Sequence, residues 1–149
     1  MMRPVTTDSP GEEQAWPAEI LFSEGLVGCS EWRRFVLLRD DQAGPVQMLQ
    51  CLDEPEVGFF VADPSAVVED YQVEIPPEAA EAIGLRDWRD ALVLCTLVMQ
   101  QDPPLVTANL LGPLVVNQRN GRGVQIVLSG SSYSARHVVA GEPRGNRAC

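Results

Sequence analysis

The sequence contains no lysine, only one histidine and no closely spaced pair of cysteines. A structural zinc site needs about four Cys or His ligands, usually in short-spaced pairs, and the cysteines here stand apart at positions 29, 51, 95 and 149. With His137 as the sole imidazole, a Ser-His-Asp or Cys-His catalytic arrangement has a single candidate base. We therefore expect no metal site, no cofactor and no enzymatic activity, and interpret Cys51 and Cys95 as small buried hydrophobic residues.

Long apolar runs are also missing. The longest, residues 91–99, includes Cys95 and Thr96 and suits a buried strand better than a membrane span. Residues 1–10 hold one arginine and no apolar core, unlike a secretory signal. Hydrophobic residues make up 45% and charged residues 21% of the 149 positions, which is a globular composition. We expect a soluble, cytoplasmic protein with one domain large enough to bury a core.

Negative charge is abundant and unevenly distributed. The net charge is −10, and residues 40–85 contain no basic residue. The acids of that span are Asp40, Asp41, Asp53, Glu54, Glu56, Asp63, Glu69, Asp70, Glu74, Glu78 and Glu81. In residues 91–141 the balance reverses, with Asp102 opposed by three arginines. A field of this sign repels phosphate backbones and attracts basic proteins, so we expect a basic protein partner and no direct nucleic-acid binding. The alternative is that acidity only keeps the protein soluble.

Short apolar or alternating runs predict a series of strands. They are residues 32–38, 46–52, 57–62, 71–75, 92–100, 106–117 and 124–128, with shorter or weaker runs at 20–22 and 132–139. Residues 71–75 alternate strictly between apolar and polar side chains, as a half-buried strand does. Gly112-Pro113 interrupts one run, where proline predicts a bulge, a bend or an edge. Asn120-Gly121 predicts a tight turn between two strands.

The hydrophobic period changes once between these strands. Proline and an acid suit a first helical turn and Gly84 suits a helix stop, so residues 77–83 are predicted to form a short helix. Asp87 is placed to cap one more turn. Trp32 and Trp88 flank apolar runs and are interpreted as half-buried packing residues.

Many short strands with one small helix predict a mainly β, antiparallel fold. Periodicity alone does not separate a barrel from a sandwich. Residues 1–17 lack periodicity and are expected to be a flexible arm. Residues 18–139 are expected to form the β domain, and residues 140–149 a disordered tail.

Two C-terminal stretches carry the most specific pattern. Residues 107–117 read Thr-Ala-Asn-Leu-Leu-Gly-Pro-Leu-Val-Val-Asn, and residues 133–137 read Tyr-Ser-Ala-Arg-His. Weaker parts precede them in order, at residues 22–28, 35–38, 59–64, 70–71 and 83–85. The ordered set resembles the FliW family of flagellar assembly factors over about residues 19–137. Ser23, Val27 and Cys29 depart from the family pattern, which has two prolines and a second phenylalanine there.

The resemblance implies a small antiparallel β-barrel-like domain with one or two short helices. It also implies a binding protein that antagonises the RNA-binding translational regulator CsrA and binds flagellin, which couples flagellin translation to export. Two alternatives stay open. One is a β-barrel module that binds a small ligand through Asn109, Asn117 and Tyr133. The other is a flagellin chaperone without activity toward CsrA.

Eight residues are candidates for protein binding. They are Glu54, Asp63, Glu69, Asp70, Asn109, Asn117, Tyr133 and Arg136. The four acids belong to the span without basic residues, which suits a positively charged partner. Tyrosine and arginine are enriched at interfaces, but Tyr133 and Arg136 are equally suited to closing the last strand over the core. Asn109 and Asn117 are as consistent with locking a backbone turn as with contacting a partner, because a buried amide must satisfy its hydrogen bonds.

Overall fold

A computed structural model describes residues 19–38 and 45–141. The predicted arm (residues 1–17) and the last residues of the predicted tail (142–149) lie outside the described residues, as do Asp40 and Asp41 of the acidic span. The described residues form nine strands, one α-helix and two single-turn 3-10 helices.

The elements follow the predicted order closely. The strands are β1 (Ile20–Phe22), β2 (Arg34–Leu38), β3 (Gln47–Cys51), β4 (Gly58–Ala62), β5 (Ala91–Gln101), β6 (Pro104–Ala108), β7 (Leu114–Asn117), β8 (Arg122–Gln125) and β9 (His137–Gly141). Helix α1 is Pro77–Ala82, and 3-10 turns cover Pro64–Ala66 and Trp88–Asp90. The helix confirms the prediction. The Asp87 carboxylate caps the second turn, as expected, by accepting a hydrogen bond from the Arg89 N–H at 3.0 Å.

Seven strands close into a barrel in the order β4-β3-β2-β1-β8-β7-β5, with β5 pairing back to β4. β5 is 11 residues long and also pairs with β6, which in turn carries β9 at the outer edge. The β1–β8 ladder is parallel, and the other ladders of the described residues are antiparallel. The predicted barrel-like β fold is confirmed, because the β4–β5 pairing closes the ring of seven strands.

β1 closes the barrel with three residues. Its Leu21 and Phe22 pair with Arg122 and Gly123 of β8, while its other edge pairs with β2. Position 123 requires glycine, because a Cβ there would come within 2.6 Å of the Phe22 ring. The short apolar run at residues 20–22 is thus a strand of the barrel.

The inner and outer faces of the barrel wall both bury apolar side chains. Residues that point inward include Phe22, Phe35, Leu49, Leu94 and Leu114, and they form the interior cluster. The alternate residues of β5 and β7, such as Ala91 and Val115, belong to clusters on the outer face. β7 is consequently buried at every position.

Residues 63–83, the covering segment, account for the buried outer face. They run from the end of β4 to the end of α1. Val67, Val68 and Tyr71 pack against the outer side of β5 and β6, together with Tyr133. Ile75 and Ala79 pack against a second outer cluster that includes Val115 of β7 and Ile126 beyond β8.

The prediction that residues 71–75 form a strand is wrong. They belong to no strand of the sheet, although apolar and polar residues alternate along them as in a strand. Tyr71, Val73 and Ile75 are partly buried, and the two residues between them are exposed. The alternation therefore records a chain that crosses the face of the sheet, with one side against the barrel, rather than a strand paired at its edge.

Other boundaries differ from the predicted ones in ways that have local causes. Residues 106–117 are split into β6 and β7, and the break includes Gly112-Pro113, as predicted. Gly121 has φ +77° in the turn between β7 and β8, which confirms the predicted tight turn. Trp88 is 57% exposed, so its interpretation as a half-buried packing residue is wrong. β9 reaches Gly141, two residues into the predicted tail.

Candidate protein-binding surface

The covering segment places six acids on one side of the barrel. They are Asp63, Glu69, Asp70, Glu74, Glu78 and Glu81, with no basic residue between them. Within residues 19–38 and 45–141, no ion pair joins any of the last five to an arginine. The negative charge of these five acids is therefore not offset by an ion pair within the part of the chain that the structure describes.

Two other acids are engaged by the protein's own backbone. The Asp53 carboxylate accepts hydrogen bonds from the N–H groups of Arg33 (2.9 Å) and Arg34 (3.0 Å) and from the Arg34 guanidinium (3.2 Å). The Arg34 and Arg33 N–H groups hold the pKa of Asp53 below its ordinary value. The Arg89 N–H lowers the pKa of Asp87 in the same way. These acids hold loops in place.

Asp63 lies where β4 ends and the covering segment begins. Its carboxylate accepts hydrogen bonds from the Ser65 N–H (2.9 Å) and hydroxyl (2.8 Å), which caps the first 3-10 turn. The nearby Cys95 is fully buried, as predicted. Burial, and secondarily the Asp63 charge, raises the pKa of the Cys95 thiol to about 11. Cys95 is therefore a neutral thiol near neutral pH and is not a nucleophile.

A pair of tyrosines attaches the covering segment to the barrel. The rings of Tyr71 and Tyr133 are 4.6 Å apart between centroids. The Tyr71 hydroxyl donates to the Leu110 carbonyl at 2.6 Å, and the Tyr133 hydroxyl accepts from the Gln72 N–H at 3.0 Å. Burial raises the pKa of Tyr71 well above its ordinary value. Tyr71 was not among the binding candidates, although it belongs both to the alternating run and to the part of the family pattern at residues 70–71.

The two candidate asparagines form hydrogen bonds within the chain. Asn109 Oδ1 accepts from the N–H groups of Leu111 (3.0 Å) and Gly112 (2.9 Å), which forms the turn before β7. Asn117 is 2% exposed. Its Nδ2 donates to the Ile83 carbonyl and its Oδ1 accepts from the Arg119 N–H, both at 2.9 Å. Asn117 thereby ties the end of α1 to the end of β7.

The structure brings some of the eight candidates together and separates others. Asp70 directly precedes Tyr71, which contacts Tyr133, and Asn109 precedes the carbonyl that Tyr71 binds. Glu54 is exposed in the β3–β4 loop, and β4 separates it from Asp63 by about 17 Å, at about 3.3 Å per residue. Asn117 lies at the far end of β7 from the tyrosine pair.

Arg136 is exposed just before β9. Its N–H donates to the Ser134 hydroxyl at 2.9 Å, and the Ser134 carbonyl accepts from the Leu110 N–H at 2.9 Å. The basic side chain at position 136 is therefore connected through the backbone to the neighbourhood of the two tyrosines. Its part in binding, like that of the other seven candidates, stays a prediction.

A groove runs between α1 and the chain that follows Gly123. One part, of about 390 Å³, is lined by α1, by the turn at residues 23–25 and by residues 123–127. A second part, of about 480 Å³, is lined by Gln72, Glu74 and Tyr133 and by residues 126–131. The two parts share Pro76, Ile126 and Val127.

The groove is acidic at its rim and apolar on its floor. Glu24, Glu74 and Glu78 line it, and none of its lining residues is basic. Ile126 is buried in the floor, whereas Val127 is 52% exposed. Sequence reasoning missed the groove because its walls come from three distant parts of the chain.

Two kinds of site are relevant to the part of the chain that the structure describes, a cluster of metal ligands and a membrane-spanning helix. No group of three or more His, Cys, Asp or Glu side chains there is arranged to hold a metal ion. No helix in residues 19–38 or 45–141 has the length and apolar character needed to cross a bilayer.

The packed interior, the covered outer face and the acidic groove define a small closed β-barrel domain. A sequence model of the FliW protein family matches residues 5–139. The chain is 36% identical over 134 residues to the flagellar assembly factor FliW of Geobacter sulfurreducens, which covers 89% of this chain and 84% of that protein. It is 32% identical over 123 residues to the Bacillus subtilis flagellar assembly factor FliW, covering 83% and 86%.

The fold agrees with these sequence relationships. A crystal structure of the flagellar assembly factor FliW superimposes with a TM-score of 0.77 at 26% identity, over 84% of this chain and 87% of that one. The chain belongs to the FliW family of flagellar assembly factors. This confirms the resemblance found in the sequence. The family is not a known family of enzymes.

Proposed function

We propose that the protein acts in the cytoplasm as an antagonist of a CsrA-type translational regulator and as a binding partner of flagellin. Free flagellin would compete with the regulator for this protein. Export of flagellin would then release the protein to sequester the regulator and restore flagellin translation. In this proposal the protein is a binding protein and holds no cofactor.

The uncompensated charge of the covering segment is the observation that carries this proposal. Five acids there, at positions 69, 70, 74, 78 and 81, have no ion pair with an arginine among the described residues. An RNA-binding regulator presents a basic surface to phosphate groups. Opposite charge on the two proteins accelerates their encounter and stabilises the complex.

The same charge disfavours direct binding of nucleic acid or of an anionic membrane surface. Phosphate groups would meet the acids of the covering segment without a basic residue of that segment to pair with. RNA release from the regulator is therefore proposed to follow from repulsion near the phosphate path or from a change induced in the regulator.

The full chain and a purified CsrA-type protein provide the direct test, by isothermal titration calorimetry at low ionic strength. We expect a complex that weakens steadily as salt is added, because charges separated by more than about 8 Å are screened at physiological ionic strength. Adding purified flagellin should displace the regulator. Absence of a complex at low salt would refute the proposed antagonism.

Flagellin binding without regulator binding is the alternative that this experiment separates. Complex formation with flagellin alone would assign a chaperone-like role. The small-ligand alternative has less support, because the amides of Asn109 and Asn117 are engaged with the backbone and lie at opposite ends of the segment that contains β7.

A further inference from the structure

β8 continues beyond its ladder with β1. It pairs antiparallel with β7 as far as Gln125. Two further hydrogen bonds keep the same register, from the Ile126 N–H to the Pro113 carbonyl (3.0 Å) and from the Leu128 N–H to the Leu111 carbonyl (2.8 Å). The reciprocal hydrogen bond from residue 113 is missing, because Pro113 has no N–H to donate. The extended chain against β7 thus reaches Leu128.

The other edge of this extended chain is covered only at its start. β1 pairs with Arg122 and Gly123, and its chain then turns at Phe22, whose carbonyl accepts from the Gly25 N–H at 2.8 Å. The backbone groups of a strand alternate between its two edges, so the N–H that follows Ile126, that of Val127, points away from β7.

The Val127 N–H has no hydrogen-bond partner among the described residues. The side chain of Val127 is 52% exposed. The chain that follows β1 stays close to Gln125, whose Oε1 accepts a hydrogen bond from the Val27 N–H at 2.8 Å, so the open part of this edge lies at Val127. This edge belongs to the acidic groove, because Ile126 and Val127 line both parts of the groove.

We propose that this open edge binds an extended, basic peptide segment of a partner protein, which adds as a strand where β1 stops. Main-chain hydrogen bonds to the edge would supply affinity, and side-chain contacts would supply selectivity. Apolar residues of the segment would pack on the groove floor beside Ile126. Arginine or lysine residues between them would meet Glu24, Glu74 and Glu78 at the rim.

Charge complementarity and the open backbone edge together select this occupant. An acidic segment would face three glutamates without a basic residue of the groove to pair with. A helix satisfies its own backbone and would leave the Val127 N–H without a partner. This inference deepens the proposed function by giving the basic partner a docking mode, and in that respect it rests on the proposed function.

A short synthetic peptide that alternates valine and arginine is the probe. It is titrated into the full chain and followed by fluorescence anisotropy and amide hydrogen exchange. We expect binding, together with slower exchange of the Val127 N–H. A matched peptide with glutamate in place of arginine should not bind. Failure of the arginine peptide to bind, or binding without protection at Val127, would overturn the inference.

Val127→Pro and Val127→Thr form the matched pair of variants. Proline removes the N–H at an edge where it has no internal partner, so folding should be preserved. The variant cannot donate the main-chain hydrogen bond to the peptide, and the proline ring keeps the peptide backbone at a distance. Its affinity for the arginine peptide should therefore be lower by about tenfold or more. Val127→Thr keeps the N–H and the branched shape and should bind as the wild type does. Thermal unfolding checks that both variants fold.

The same variants separate this inference from the proposed function. If Val127→Pro binds the arginine peptide like the wild type, the strand-addition mode is wrong. A CsrA-type protein that still binds the wild-type chain would leave the proposed function standing in that case. The opposite result is peptide binding that depends on Val127, with no complex between the chain and CsrA. It would support the inferred peptide site and refute the proposed antagonism.

Discussion

Two groups of polar side chains in this molecule differ in what they bind. Asp53 and Asp87 accept hydrogen bonds from backbone N–H groups of their own chain and hold a loop and a turn. Asn117 accepts a hydrogen bond from the Arg119 N–H and donates one to the Ile83 carbonyl, which holds the end of α1. Glu69, Asp70, Glu74, Glu78 and Glu81 have no ion pair with the arginines of the described residues. The first group stabilises the fold, whereas the second contributes charge to a surface.

The contrast between the two groups indicates which residues a partner would contact, namely the acids of the covering segment. Like charges along one segment repel one another and do not stabilise the compact state. Their concentration on the covering segment is the reason why we propose a basic partner for this surface. Variants of the first group should mainly lower stability. Variants of the second group should mainly lower affinity for the partner.

The largest expected effect is on binding. Glu69→Gln, Glu74→Gln and Glu78→Gln together should weaken the complex with a CsrA-type protein about a hundredfold at low salt, by removing attraction to its basic surface. The melting temperature should stay the same or rise slightly. Calorimetry and thermal unfolding measure the two quantities.

Three acids elsewhere, which are not among the binding candidates, supply the matched control for that variant. Glu31→Gln, Glu56→Gln and Asp102→Asn together change the net charge by the same amount, and all three positions are exposed. We expect a much smaller loss of affinity. Equal losses in the two triple variants would show that only total charge matters and that the covering segment is not a distinct surface.

The next effect is on stability. Asn117→Ala removes the hydrogen bonds to the Ile83 carbonyl and from the Arg119 N–H at a buried position, and should lower the free energy of unfolding by about 2 kcal/mol. Urea unfolding measures the loss. Asn120→Ala removes an exposed side chain that donates to the same carbonyl at 3.0 Å, and should cost less. Partner affinity per folded molecule that is unchanged in Asn117→Ala would assign this residue a structural role only, whereas a loss of affinity would support its candidacy for binding.

The smallest effect is a pH dependence that comes from Asp53. Its folded-state pKa lies below the ordinary value of 3.8, so its stabilising contribution is present above about pH 3.8 and is lost as the pH falls through the lower folded value. Asp53→Asn should therefore be less stable than the wild type at neutral pH. The difference should shrink below about pH 4, as measured by urea unfolding across a pH series. A difference independent of pH would contradict this role of the carboxylate.

Much of the barrel could be predicted from local patterns. Short apolar or partly alternating runs located β2 to β5, and Pro77 and Gly84 located α1. The alternating run at residues 71–75 misled, because burial of every second side chain is the same for a chain paired in a sheet and a chain lying across it. Only tertiary structure distinguishes the two.

The candidate surface was predicted in part. The run of acids was visible in the sequence, but whether an arginine pairs with the acids at positions 69, 70, 74, 78 and 81 depends on where the arginines lie in space, and among the described residues none does. Asn117 attracted attention as a polar residue in an apolar strand, and the structure shows it bound to the α1 terminus. The open edge at Val127 had no sequence signal, because it results from β1 stopping short of its neighbour.

The salt dependence of partner binding tests the central claim most directly. The dissociation constant of the complex with a CsrA-type protein would be measured over a salt series for the wild type, the covering-segment triple variant and the control triple variant. The account predicts a steep dependence for the wild type and the control and a clearly shallower one for the covering-segment variant. Parallel lines for all three proteins would contradict it.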